Sequence, residues 1–124
     1  MLEKLLAEIR EFNDERDWAQ YHSPKNLATS VLIEAAELAE IFQWLTEAES
    51  FDLDKKAMTD AEEEIADVFI YLLNLADKLG IDPVEASHRK ILNNAAKYPT
   101  DCSRGSRLKY TELKERNQNG NNHR

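Results

Sequence analysis

The apolar residues of this chain recur at three- and four-residue intervals, and the runs are punctuated by helix-start signals. Leu2, Leu5, Leu6, Ile9 and Phe12 form one such stripe, which predicts an amphipathic helix from residue 2 to about 18. Ser23-Pro24 reads as an N-cap followed by proline at the first helical position, where the missing N–H would have had no partner anyway. It opens a second helix to about residue 46. A polar, acidic loop is expected over residues 47–58. Thr59-Asp60-Ala61-Glu62 has the form of a capping box and predicts a third helix ending near Gly80. Asp82-Pro83 repeats the cap-proline signal for a fourth helix to about residue 97, closed by Pro99. Nothing alternates at period two, and three glycines with three prolines give little of the turn punctuation a sheet protein needs. The expected fold is all-α, built on a four-helix unit.

Composition then removes several classes of function. With 42% hydrophobic and 32% charged residues, the chain can form a core. No apolar run approaches the ~20 residues of a membrane span, so no membrane partner is expected. A net charge of −8 argues against a nucleic-acid binder, which needs a basic stripe to displace counterions from phosphates. The charge is uneven: residues 1–100 carry 10 basic and 21 acidic side chains, residues 101–124 carry 6 and 3. The single cysteine, Cys102, excludes an intrachain disulfide framework and a cysteine zinc site. The chain opens directly on an amphipathic acidic segment without a signal peptide, and the expected compartment is the cytoplasm.

The chemistry lies in carboxylates placed where a core helix should be apolar. At 100° per residue, Glu34 and Glu37 fall on the stripe of Leu27, Leu38 and Ile41, while Glu40, Gln43 and Glu47 fall on the far side. The third helix, apolar nearly all round over residues 65–76, repeats the arrangement. Glu64 and Asp67 share a face with Val68, Tyr71 and Leu75, and Asn74 and Lys78 continue that stripe. Side by side, the two i, i+3 acid pairs would gather four carboxylates, which cannot all stay ionised together without a cation. An all-oxygen site of this kind suits Mg²⁺ or Mn²⁺. Glu85-Ala-Ser-His88 is a single E-x-x-H unit where a di-iron bundle needs two. A Ser/His/Asp triad has no motif support, and Arg104-Gly105-Ser106 is no phosphate loop. Two classes stay open on the residues alone: a metal-dependent enzyme, and a non-catalytic helical interaction module in which the all-round apolar helix builds a dimer core.

Glu34-Ala-Ala-Glu37 followed by Glu63-Glu64-Ile65-Ala66-Asp67 is similar to the ExxE…ExxD signature of the MazG-like, all-α nucleoside triphosphate pyrophosphohydrolases. Arg16-Asp17-Trp18, His22-Ser23-Pro24-Lys25-Asn26, Phe42-Gln43-Trp44, Lys90 with Asn94 and Tyr98-Pro99, and Lys109-Tyr110-Thr111-Glu112-Leu113 resemble the branch that contains the dCTP pyrophosphatases. The resemblance covers about residues 5–113; residues 1–113 are expected to form one domain, with 114–124 as a polar, disordered tail. Ile33 stands where many members carry a glutamate before the first ligand, which sets the chain apart from MazG proper.

The resemblance implies hydrolysis of a (deoxy)nucleoside triphosphate, dCTP by first choice, between the α and β phosphates. The products would be a monophosphate and pyrophosphate, a house-cleaning reaction on the nucleotide pool. It implies Glu34, Glu37, Glu64 and Asp67 as Mg²⁺ ligands, with Glu37 and Glu63 as candidates for catalytic roles. Trp18, Trp44 and Tyr71 match positions of a base pocket, and Lys90 and Asn94 become candidates for phosphate and sugar contacts. His22 and Asn26 also match family positions and Lys25 could supply positive field, so all three are candidates for substrate binding. The basic segment 104–110 could fold over a site. The expected assembly is a homotetramer built as a dimer of dimers, with sites near subunit interfaces.

Overall fold

The computed structural model describes residues 1–105, and among them every regular element is helical. The elements are α1 (Leu2–Glu15), α2 (Pro24–Phe42), α3 (Glu47–Ser50), α4 (Lys55–Lys78), α5 (Pro83–Lys97) and α6 (Thr100–Ser103), with a 3₁₀ turn at Ala19–Tyr21. They fall into two compact units that divide after Asp82. None of the described helices is long and apolar enough to cross a membrane.

In the first unit α2 packs along α4, and α1 lies against α4 as well. Ile9, Leu27, Ala61 and Leu73 are its buried apolar residues, and Leu27 at 1% exposure is the most enclosed. Asn13 and Asn74 are buried among them and share a hydrogen bond, Asn13 Nδ2 donating to Asn74 Oδ1 at 3.0 Å. Outside the core, Arg10 clamps α1 to α4 through both carboxylate oxygens of Asp77. Much of the apolar face of α4 faces outward: Ile65, Phe69 and Leu72, at i, i+4 and i+7, are each about half exposed. Leu32 and Ile33 on α2 are likewise open.

The helix boundaries correct four expectations. First, α1 stops at Glu15, not near residue 18, because Asp17 takes a left-handed conformation (φ 53°). The turn closes as a Schellman motif: Asp17 N–H reaches the Asp14 carbonyl at 3.1 Å and Trp18 N–H the Asn13 carbonyl at 3.0 Å. Second, α2 ends at Phe42 because Thr46 is already the cap of another helix. Third, the segment expected as a loop contains α3. Thr46 Oγ1 accepts from Glu49 N–H and Glu49 Oε1 accepts from Thr46 N–H, a reciprocal capping box over four residues. Fourth, α4 begins at Lys55, since Asp54 Oδ1 accepts from Ala57 N–H at 2.8 Å and caps it first. Thr59, read as a cap, sits inside the helix and donates its hydroxyl to the Lys55 carbonyl. The Ser23 cap of α2 and the Gly80 terminus of α4 stand as expected, the latter a second Schellman motif with Gly80 at φ 67°.

In the second unit α5 runs from Pro83, as its cap-proline signal predicts, and α6 follows Pro99. The segment 114–124 and most of 104–110 lie outside the described residues.

Candidate active site

The antiparallel pair α2 and α4 brings the two acid motifs together. Carboxylate oxygens of Glu34, Glu37 and Glu64 lie within 4.8 Å of one another. Asp67 stands one turn further along α4, outside this triplet but close enough for its charge to act on Glu34 and Glu64. Glu34 is pushed up to about 7, first by burial, then by the adjoining carboxyl groups of Glu37 and Glu64 and the charges of Glu37 and Asp67. Burial and the charges of Glu37 and Asp67 push Glu64 up too, while its contact with Glu34 pulls the other way. One oxygen of each, Glu34 Oε2 and Glu64 Oε2, is buried without a hydrogen-bond partner. Two orphaned carboxylate oxygens within an all-oxygen cluster fit a hard divalent cation.

An open cleft of ≈ 380 Å³ lies beside the triplet, walled by Glu37, Glu40 and Ile41 of α2 and by Asp60, Glu63 and Glu64 of α4. The placement of Glu40 on the far side of α2 is therefore corrected. One helical turn separates it from Glu37, only about 60° around the axis, and the cleft is wide enough to include both. Glu63 is exposed on the same wall. Asp60, which is not among the expected site residues, also lines it and is paired with Lys56 at 3.0 Å.

A second cavity of ≈ 380 Å³ opens between α1 and α4. Trp18, His22, Tyr71 and Asp67 all line it, so the acid cluster and the aromatic pocket meet at Asp67. Trp18 is held edge-on against Phe12, ring centroids 5.4 Å apart, and the Arg16 guanidinium covers the Phe12 ring. His22 Nδ1 is buried without a partner, and burial, assisted by the Lys78 charge, holds the imidazole below its ordinary range.

Of the remaining candidates, Trp44, Lys25 and Asn26 belong to the first unit and line neither cavity. Trp44 is 87% exposed, just past α2. Lys25 is exposed on the first turn of α2. Asn26 serves the local chain, donating to the Tyr21 carbonyl while its N–H bonds Ser23 Oγ. Lys90 and Asn94 are exposed on α5, in the second unit. Conversely, Phe12, Asn13 and Asn74 line the pocket and were not singled out for it. Asn74 was visible as a polar member of the Tyr71 stripe, and Asn13 follows Ile9 at i+4, so a polar residue on each apolar face was the available signal.

The chain is similar to known proteins. A family model described as MazG-like matches residues 29–113, the stretch that contains both acid pairs. Over 117 residues the chain is 42% identical to dCTP pyrophosphatase 1 of Rattus norvegicus, covering 90% of this chain and 69% of that protein. The dCTP pyrophosphatase 1 of Homo sapiens is 40% identical over the same span. A crystal structure of a pyrophosphatase from Archaeoglobus fulgidus matches with a TM-score of 0.76 at 52% identity, covering 79% of this chain and 92% of that one. The chain belongs to the MazG-like family.

Proposed function

We propose that the protein is a Mg²⁺-dependent hydrolase that cleaves a deoxynucleoside triphosphate, dCTP by first choice, between the α and β phosphates. One water adds across the P–O–P bridge, and the products are the nucleoside monophosphate and pyrophosphate. The observation that carries this reading is the continuity at Asp67: a carboxylate cluster with orphaned oxygens adjoins a pocket lined by aromatic rings. The names of the relatives, dCTP pyrophosphatase and pyrophosphatase, point the same way.

Glu34, Glu37, Glu64 and Asp67 would hold the cation, with Mn²⁺ as an alternative ion. When bound, such an ion neutralises phosphate charge and lowers the pKa of an attacking water. Glu37 and Glu63 face the open cleft, from which water enters, and either oxygen pair can take its proton. Trp18 and Tyr71 offer ring faces to a planar base. Lys90 and Asn94 would contact phosphate and sugar.

Trp44 has no place in its own chain's pocket, which favours an assembly in which it reaches the pocket of a neighbouring copy. The open apolar residues Leu32, Ile33, Ile65, Phe69 and Leu72 supply the surface for a homotetramer. Such an enzyme would work on the cytoplasmic nucleotide pool.

The test is pyrophosphate release from the four dNTPs and CTP, with and without Mg²⁺. Release from dCTP that needs the metal is the expected result. A preference for purines or ribonucleotides sinks the substrate assignment. No release from any triphosphate sinks the enzyme and leaves the helical interaction module.

A further inference from the structure

We infer that Asn13 and Asn74 form a two-amide reader for the edge of the base. This rests on the nucleotide reading above and names the residues that would give it base selectivity.

The exposed rings Phe12 and Trp18 lie at the rim of the α1–α4 pocket, whereas Ile9, Asn13 and Asn74, at 5%, 8% and 5% exposure, form its floor. Stacking on a rim of rings holds any planar base, because every base has a π-face. A polar pair at the floor is different. Asn13 Nδ2 donates to Asn74 Oδ1 at 3.0 Å, which fixes the two amides against each other. Each amide then keeps hydrogen-bonding capacity, the acceptor Oδ1 on Asn13 and the donor Nδ2 on Asn74. Side by side, one acceptor and one donor match the edge of an amino-bearing base. The exocyclic amine donates to Asn13 Oδ1, and the neighbouring ring nitrogen accepts from Asn74 Nδ2. A keto base with a ring N–H presents the reverse order.

The spacing along α4 supports the same assignment. Asp67, Tyr71 and Asn74 follow at i, i+4 and i+7 on one stripe, and all three line the pocket. Seven residues of helix span about 10 Å, comparable with the length of a nucleotide from its α-phosphate to the far edge of its base. A nucleotide whose phosphates lie at the Asp67 end places its base over Tyr71 and its edge at Asn74.

The first test uses the wild type. The 2-pyrimidinone deoxynucleoside triphosphate carries hydrogen in place of the 4-amino group of dCTP and adds no bulk. The expected result is at least a tenfold loss in kcat/KM, seen mostly as raised KM. Hydrolysis as efficient as that of dCTP overturns the proposal. The second test is Asn74→Asp at pH 8, which keeps the acceptor for Asn13 Nδ2 and turns the outer donor into an acceptor. The ratio of kcat/KM for dCTP over dUTP should fall at least tenfold. A purely structural pair would instead lower stability and depress both substrates in proportion, leaving the ratio unchanged.

Calorimetric binding of dCMP and dUMP to the wild type and Asn74→Asp separates this proposal from the enzyme reading. Selective dCMP binding without turnover of any triphosphate sinks the enzyme and keeps the reader. Turnover with a dCTP preference that neither the 2-pyrimidinone substrate nor Asn74→Asp disturbs sinks the reader and keeps the enzyme. A wild type that neither binds nor hydrolyses overturns both.

Discussion

The cleft between α2 and α4 and the pocket between α1 and α4 are of equal volume and share one helix, yet their chemistry is opposite. The cleft is lined by five carboxylates and one isoleucine. The pocket is lined mainly by apolar and aromatic side chains, with the Asn13–Asn74 pair in its floor. In the proposed reaction, charge handling falls to one flank of α4 and shape recognition to the other, with Asp67 between them. Mutations on the two flanks should therefore fail in different kinetic parameters.

The largest effects belong to the acid flank. Glu37→Gln and Asp67→Asn each keep size and remove charge, so metal affinity must fall. Turnover should drop by about a hundred- to a thousandfold, on the scale seen when a preorganised electrostatic group is removed from an active site. Circular dichroism should show the metal-free variants still helical. Glu40→Gln tests how far the site extends: Glu40 lines the cleft but stands outside the close triplet, so a loss of only a few-fold is expected. Wild-type activity in both Glu37→Gln and Asp67→Asn would mean that the cluster holds no catalytic metal.

On the aromatic flank, Trp18→Ala should raise KM about 10- to 100-fold with kcat little changed, because base stacking contributes about 1–3 kcal/mol in ground state and transition state alike. Trp44→Ala should show the same split, and its effect should vanish in any monomeric form if the ring serves a neighbouring copy. A loss confined to kcat in either variant would break the division between the flanks.

The crowded carboxylates also set a pH dependence in the metal-free protein. Glu34 titrates near 7 in the fold and near 4.5 when unfolded. Between those values the unfolded chain releases a proton that the folded chain keeps, so stability falls as pH rises through that window. The shift is worth at most about 3.5 kcal/mol at about 1.4 kcal/mol per pKa unit, and partial solvent access reduces it to roughly 1–2. Glu34→Gln should therefore raise the Tm of the metal-free protein at pH 8 and leave it nearly unchanged at pH 4.5. Saturating Mg²⁺ should stabilise the wild type at pH 8 and have little effect on Glu34→Gln. Equal Tm gains at both pH values would show that Glu34 does not keep its proton in the fold beyond the unfolded range.

The acid flank was legible in the sequence because each pair is local: i, i+3 spacing puts Glu34 with Glu37, and Glu64 with Asp67, on one face before any tertiary contact forms. Helix class, the Ser23 cap and the Gly80 terminus are local too. The aromatic pocket was legible only in part. Trp18, His22 and Tyr71 came from resemblance, while the floor depends on α1 docking against α4, which joins residues 61 positions apart. Glu40 was misplaced for a related reason: an angle on a helical wheel says nothing of how wide the neighbouring cleft is. The start of α4 was missed because two capping signals, Asp54 and Thr59, lie five residues apart, and the hydrogen bonds favoured the first.

The smallest expected effect tests whether the turn after α1 belongs to the aromatic flank. Asp17 holds φ at 53°, a region that costs a residue with a Cβ roughly 1–2 kcal/mol, less for Asp than for most. That turn fixes where the chain leaves α1 and hence where Trp18 meets Phe12. Glycine relieves the strain but frees the unfolded chain and loses the bond from Gln20 Nε2 to Asp17 Oδ2. These terms oppose one another, so Asp17→Gly should change stability by no more than about 0.5 kcal/mol and leave KM unaltered. Asp17→Val keeps the length of the turn but resists the left-handed conformation. It should cost about 1–2 kcal/mol and raise KM, because the chain escapes the strain by moving Trp18. Denaturant midpoints and KM measured on both variants decide the matter. If valine lowers the midpoint while KM stays at the wild-type value, the turn supports the helix alone and Trp18 is positioned by its ring contacts.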